Sequence, residues 1–292
     1  MKRIKWIIGL LFLIFLFQSY LLSAAGAQPP ETEGQLDAIS PPAAAKQKAE
    51  RLVASVVDQQ TAAPSALRVG EKFVYTLTWG VIPAGLATLE VDSLVSWKGV
   101  DCYWVKITTR TNAFLDKIHK VRDSVGALIE TSLKRSQYYR KKQQEGSFSR
   151  DDELIIDYQK EMITLNRGGK LKNTIKIRQG EDLLDPFGVL YYVRGLDLRV
   201  GDQIRARVTD GTAVYQMRID VLKRERVKAW PGYFDCLKIE PKMERLEGIF
   251  NKKLEAKLYI WLTDDQRKIP VKMQSEVFLG SVKGVLKEIH DP

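Results

Sequence analysis

Hydrophobic residues alternate with polar ones along many short stretches of this chain. In the clearest stretch, Phe73–Trp79, the bulky apolar side chains occupy every second position and therefore share one face. A period of two is typical of a β-strand with one buried face. Comparable stretches recur at a spacing of about 8–12 residues and are separated by glycine- and proline-containing turns. The pattern predicts an all-β fold, either an antiparallel barrel or a sandwich.

In the second half of the chain, strands are predicted at 203–208, 213–227, 234–242, 254–263, 268–278 and 281–289. One segment between the halves, 185–195, has the signals of a short helix instead. Asp185 stands at the N-cap position, Pro186 follows it, and Gly195 closes the segment. Two interpretations remain open: a hydrophobic plug at one end of the barrel, or a lid over a ligand cavity.

Several blocks of sequence occur twice in the same order. Leu67–Lys72 resembles Leu198–Gln203, an offset of 131 (198 minus 67), and Trp97–Cys102 resembles Trp230–Cys236. A nearly constant offset is the signature of an internal duplication. We therefore predict one all-β domain over 67–290, built from two β-meander repeats at about 67–180 and 198–290.

The N-terminus has the order of features that marks an exported protein. A basic start at Met1–Lys5 precedes an apolar run, and Ala25–Ala27 matches a small-residue cleavage site. This predicts a signal peptide over 1–27, cleaved between Ala27 and Gln28; an uncleaved membrane anchor is the alternative. The Pro- and Ala-rich stretch 28–66 is predicted to be a flexible linker. The expected location is the periplasm of a Gram-negative bacterium.

These blocks resemble the exported bacterial family known as domain of unknown function 3108, over about residues 67–289. The resemblance is carried by Gly70-Glu71-x-x-x-Tyr75, the Gly85 turn, Asp185–Arg194, Gly201-Asp202, Ile260–Asp265, Arg267–Val271 and Gly280-Ser281. It implies an all-β envelope protein with no established activity. It supplies no catalytic residue, so it does not make this chain an enzyme.

Few residues are suited to metal or nucleophilic chemistry, because the chain has two histidines and two cysteines. Neither His119 nor His290 has a second ligand at metal spacing, so no metal site and no cofactor are expected. Cys102 and Cys236 are either bridged in the oxidising periplasm or two buried thiols. The acidic groups 151–153 and 264–265 are interpreted as turn residues, with acid–base chemistry as the alternative.

The formal charge of +10 and the aromatic residues suggest how a ligand would bind. A cluster of basic residues is predicted to form a surface that binds anionic lipid, lipopolysaccharide or an acidic glycan. Its members are Arg140, Lys141, Lys142, Lys172 and Lys176. The aromatic residues proposed to line a cavity are Trp79, Tyr103, Phe187, Tyr191 and Trp261. Core packing is the alternative for these aromatics, and a solvated strand face is the alternative for the basic cluster. Export argues against a nucleic-acid partner.

Three functional hypotheses follow from these features. The first is a non-catalytic envelope protein that binds or carries an amphiphilic or anionic ligand in a barrel. The second is a structural or assembly protein that holds other envelope proteins. The third is an envelope hydrolase, which would need acidic residues converging in a cleft. Membrane contact is expected only through the signal segment or the basic face.

Overall fold

A computed structural model describes residues 39–42, 67–244, 257–277 and 280–292. The predicted signal peptide, its cleavage junction and most of the predicted linker lie outside the described residues. Within the described part of the chain, neither helix is long and apolar enough to cross a membrane.

Fourteen strands form one antiparallel sheet. They are β1 (Lys72–Trp79), β2 (Ile82–Trp97), β3 (Val100–Thr111), β4 (Arg122–Glu130), β5 (Ser136–Glu145), β6 (Phe148–Asp157), β7 (Met162–Arg167), β8 (Lys170–Lys176), β9 (Gln203–Thr209), β10 (Val214–Ala229), β11 (Gly232–Glu244), β12 (Lys257–Thr263), β13 (Pro270–Val277) and β14 (Gly280–His290). Helix α1 (Ala113–Asp116) precedes β4, and helix α2 (Gly188–Arg194) joins β8 to β9.

The strand order consists of two meanders joined at one seam. Strands β1 to β8 pair consecutively, β9 to β14 do the same, and β1 pairs with β14. Strands β8 and β9 are the two edges, and the sheet is not closed. The predicted all-β antiparallel class is confirmed. All six strands predicted in the second half are present, and the ends that lie within the described residues differ by up to two residues.

Gly85 does not lie in a turn, although the sequence comparison treats it as one. The turn between β1 and β2 ends earlier, because β2 already begins at Ile82. Gly85 lies inside β2, where a Cβ would stand 2.0 Å from the carbonyl oxygen of Arg110, so the sheet leaves no room for a side chain there.

The sheet curls so that its two ends approach each other without pairing. The turn after β9 packs against the first meander: a Cβ on Gly211 would stand 2.8 Å from Leu154 and 2.9 Å from Leu165. The Asn173 side chain donates to the carbonyl oxygen of Gly211 at 2.9 Å. The chain before α2 makes a parallel bridge to β9 at Leu184. These contacts enclose the core between the two meanders.

The two repeated blocks form the same turn. The N–H of Gly70 donates to the carbonyl of Val91 at 2.7 Å, and the N–H of Gly201 donates to Val221 at 2.8 Å. Both glycines have positive φ angles, 92° and 97°, which glycine adopts at little cost. This shared geometry supports the duplication, which remains a prediction.

Helix α2 lies between two apolar clusters and contacts both. Tyr191 belongs to the main core, whereas Val189 and Val193 belong to a second cluster formed with β9 to β12. The segment therefore has apolar contacts on two sides. Burial on both sides anchors α2 between the meanders.

A buried ion pair fastens α2 to the sheet. Arg194 and Glu71 lie 2.8 Å apart, and each side chain is 1% exposed. Arg267, in the turn between β12 and β13, lies 3.1 Å from Glu71 and 2.5 Å from Asp291. The guanidinium of Arg194 also stands 5.5 Å from the ring centre of Phe73. Removing one partner of such a pair leaves an uncompensated charge in a medium of low dielectric constant.

We expect Arg194→Met to lower the free energy of unfolding by about 3–5 kcal/mol, because Glu71 would lose its closest counter-charge. The double variant Glu71→Gln/Arg194→Met removes both charges and is expected to be more stable than the single variant. Urea unfolding followed by tryptophan fluorescence measures both. Equal losses in the two variants would show that the helix contacts, and not the ion pair, dominate.

Candidate ligand-binding site

An apolar cavity lies between the two meanders and α2. The centre of a water-sized molecule can occupy about 90 Å³ of it. Its wall is almost entirely aliphatic and aromatic; the lining residues are Leu89, Ile107, Tyr139, Pro186, Phe187, Val189, Leu190, Val193, Met217, Ile219, Ile239, Pro241, Leu258, Ile260 and Met273. Leu190, Leu258 and Ile260 are only partly buried, so the apolar wall continues to a solvent-accessible rim.

Local hydrogen bonds hold the helical wall of the cavity in place. The carboxylate of Asp185 accepts from the backbone N–H groups of Phe187 and Gly188 at 2.8 and 2.9 Å. The hydroxyl of Ser136 donates to the same carboxylate at 2.5 Å. Burial raises the pKa of Asp185, and these hydrogen bonds oppose that rise. The predicted capping role of Asp185 matches this geometry, although α2 itself begins at Gly188.

Only one of the five aromatic residues predicted to line a cavity does so. Phe187 lines it, and Tyr191 packs edge-on against Phe187 with ring centres 5.1 Å apart. Tyr103 is buried in the main core, and Trp79 ends β1 outside the lining. Trp261 is buried in the main core and does not line this cavity.

The five residues of the predicted basic face do not form one surface. Arg140 makes a bidentate ion pair with Asp151, at 2.9 and 2.7 Å. Lys172 and Lys176 are exposed on the edge strand β8, where charge hinders pairing with other chains. Lys142 borders a separate polar cleft beside residues 39–42. The structure differs most from the predicted basic face at Lys141, because this side chain is buried in the interior and is 2% exposed.

Lys141 is part of a polar region inside the sheet. Asp123 accepts from the backbone N–H of Gln144 at 2.9 Å, and the Gln143 amide donates to Glu145 at 3.0 Å. Burial raises the pKa of Asp123 to about 6 and that of Glu145 to about 8, and it lowers the pKa of Lys141 to about 8. These three interior groups therefore change their charge between about pH 6 and about pH 8.

The remaining candidate groups have structural roles. Cys102 and Cys236 are free thiols, one in an outer cluster and the other in the main core, so the structure contains no bridge between them. Asp265 accepts from the hydroxyl of Thr263 and from two backbone N–H groups, which makes it a turn residue as predicted. The 151–153 group is not in a turn: it lies in β6.

Sequence reasoning missed Lys141 as an interior residue, because the period of two shows only which residues of β5 share a face. Tyr139 and Lys141 are two positions apart in β5 and so share a face, whereas Arg140 and Lys142 share the other. The aliphatic lining of the cavity was recognised only as core. Which apolar faces leave space between them depends on how the two meanders curl together.

The interior carboxyl groups predict a pH dependence of stability. Their folded pKa values, about 6 for Asp123 and about 8 for Glu145, exceed the values of about 4 expected when unfolded. The folded state therefore binds more protons, and the free energy of unfolding falls as pH rises from about 4 to about 8. We expect Asp123→Asn to flatten this fall in urea-unfolding series.

The control is Thr109→Val, which alters the residue paired with Asp123 across β3 and β4 without removing a titratable group. It is expected to keep the pH slope of the wild-type protein. An unchanged slope in Asp123→Asn would contradict the assignment of the slope to this pair.

Solved structures that match this chain share little sequence with it. A β-barrel-like protein of domain of unknown function DUF1849 from Brucella abortus matches with a TM-score of 0.53 and 12% identity, covering 77% of this chain and 98% of the other. A predicted lipoprotein from Parabacteroides distasonis matches with a TM-score of 0.33 and 10% identity, covering 76% and 96%. At these identities the first likeness shows the fold alone.

A comparison with curated proteins finds no match. The family model described as "Protein of unknown function (DUF3108)" matches residues 74–287, from the third residue of β1 to near the end of β14. This span includes both meanders, α2 and every residue that lines the cavity. The chain belongs to this family.

Proposed function

We propose that this protein is an exported, non-catalytic carrier of amphiphilic molecules in the bacterial cell envelope. The observation that carries the proposal is the apolar cavity between the meanders and α2. Its wall offers aliphatic and aromatic surface from both halves of the sheet, which is the usual composition of sites for apolar ligands. The basic, apolar and small-residue sequence of the N-terminus supports export to the envelope.

The position of α2 explains how a cavity persists in an otherwise packed core. Asp185 holds the start of the helical segment and Arg194 holds its end, so the segment cannot collapse onto the sheet. Burying a ligand methylene in such a site contributes about 0.8 kcal/mol, which makes chain length a determinant of affinity. The arrangement needs no reacting group, in keeping with a carrier.

Filling the cavity should abolish ligand binding. Met217→Trp places a larger side chain in the lining, whereas Leu222→Trp makes a similar change at a partly exposed position of the same strand. We expect Met217→Trp to weaken binding of the uncharged dye N-phenyl-naphthylamine by about tenfold or more, with Leu222→Trp unchanged. Fluorescence titration of both variants measures this.

Native mass spectrometry of protein purified from a periplasmic extract is the complementary test. The proposal expects a bound mass that disappears on denaturation and that is reduced in Met217→Trp. A wild-type protein that carries no ligand and does not enhance dye fluorescence would overturn the carrier function.

A second candidate, an assembly protein of the envelope, is favoured by one contact on the outside of the sheet. Ile39 is buried against an outer cluster formed by Val95, Trp97, Cys102, Trp104, Leu128 and Tyr138. Gly126 makes room for it, because a Cβ there would lie 2.2 Å from Trp104 and 2.7 Å from Ile39. This surface therefore already accommodates an extended proline-containing segment, 39–42.

If the outer cluster also binds envelope proteins, displacing that segment should expose it. We expect Ile39→Asp to increase in-cell cross-linking to other envelope proteins while dye binding stays unchanged. The exposed neighbour Ser40 provides the control variant Ser40→Asp. Cross-linking that is equal in both variants and the wild type would contradict the assembly role.

A further inference from the structure

We propose that Lys141 binds the anionic head group of the amphiphile whose apolar part occupies the cavity, an inference that rests on the proposed carrier function. The ligand class is then a single-chain or short-chain molecule with a negatively charged head, such as a carboxylate. The argument uses the position of Lys141 in the sheet, its lack of a direct partner and the charges around it.

Lys141 lies in the same cross-strand row as the cavity wall. Leu89 pairs with Ile107, Ile107 with Val125, and Val125 with Lys141. Paired residues on neighbouring strands share a face and lie about 5 Å apart. The first two members of the row line the cavity, and so does Tyr139, which precedes Lys141 by two positions on the same face of β5. One end of this row is apolar and lines the cavity, and the other end carries the amine of Lys141.

The amine of Lys141 has acidic neighbours but no direct contact with them. The side chain is 2% exposed, and among the described residues it makes neither a hydrogen bond nor an ion pair. Asp152, which pairs with Lys141 in the register of β5 and β6, is held by Arg167 at 2.6 Å. A ligand anion would supply the direct charged partner that these residues do not give the amine.

The surrounding charges favour an anion below about pH 8 and disfavour it above. Lys141 faces Asp123 from β4, Glu145 from its own strand, and Asp152 and Arg150 from β6. Burial brings the pKa of Lys141 to about 8 and that of Glu145 to about 8. As pH rises through this range, the amine loses its charge and the carboxyl groups gain theirs, so affinity for an anion falls.

Three probes of equal chain length separate the head group from the chain: decanoate, 1-decanol and decyltrimethylammonium. Each is titrated against dye-loaded, full-length mature protein at neutral pH. A hydrogen-bonded charge pair in a buried site predicts that decanoate binds about tenfold or more tightly than decanol, with the cationic probe weakest. The decanoate preference is expected to disappear between about pH 7 and about pH 9.5.

Lys141→Met is the decisive variant, and Lys142→Met is its matched control on the opposite face of the same strand. We expect Lys141→Met to weaken decanoate binding by about tenfold or more and to leave decanol binding unchanged. Lys142→Met is expected to leave both unchanged. If Lys141→Met does not fold, the wild-type pH series decides, and a constant ratio of decanoate to decanol affinity would overturn the inference.

The same titrations distinguish this inference from the function on which it rests. Equal binding of decanoate and decanol by the wild-type protein would overturn the role of Lys141 and leave the carrier function standing. Absence of binding by all three probes would overturn both.

Discussion

The buried pair of Glu71 and Arg194 connects parts of the chain that are far apart in sequence. Glu71 precedes β1, Arg194 ends α2, and Arg267 adds the turn between β12 and β13 to the same carboxylate. Because the charges are removed from water, the pair is stable only when all three segments are in place. The blocks that carry the family resemblance, Gly70-Glu71, Asp185–Arg194 and the closing segment, meet here. Their common role is to position α2 between the meanders, which gives these motifs a structural meaning.

The interior of the sheet changes from apolar to polar along one row of paired residues. Its apolar members form a wall of the cavity, and Lys141 and Asp152 follow on β5 and β6. Lys141 makes no hydrogen bond or ion pair among the described residues, although carboxyl groups surround it. The proposed carrier function rests on the apolar end of this row, and the proposed role of Lys141 rests on its charged end.

Several charged and aromatic residues that do not line the cavity contact one another instead. Trp261 donates its indole N–H to Glu225, and the amine of Lys272 stands 4.2 Å from its ring centre. Arg140 is paired with Asp151 on the same strand pair as Lys141. The net positive charge is thus distributed over separate ion pairs, edge residues and ring contacts. A single basic binding face does not arise, because alternate residues of a basic run point to opposite sides of a strand.

The sequence by itself determined the strand pattern, the all-β class, the segment that contains α2 and the repeated turns at Gly70 and Gly201, because these depend on residues that are close along the chain. Only the tertiary structure decided that β1 pairs with β14, that the ends of the sheet approach without closing, and that a cavity remains beside α2. Those features depend on contacts between distant residues. The burial of Lys141 belongs to the same group: β5 has polar residues on both faces, so its pattern does not say which face is inward. The choice is made by the neighbouring strands, whose apolar faces must meet in the core.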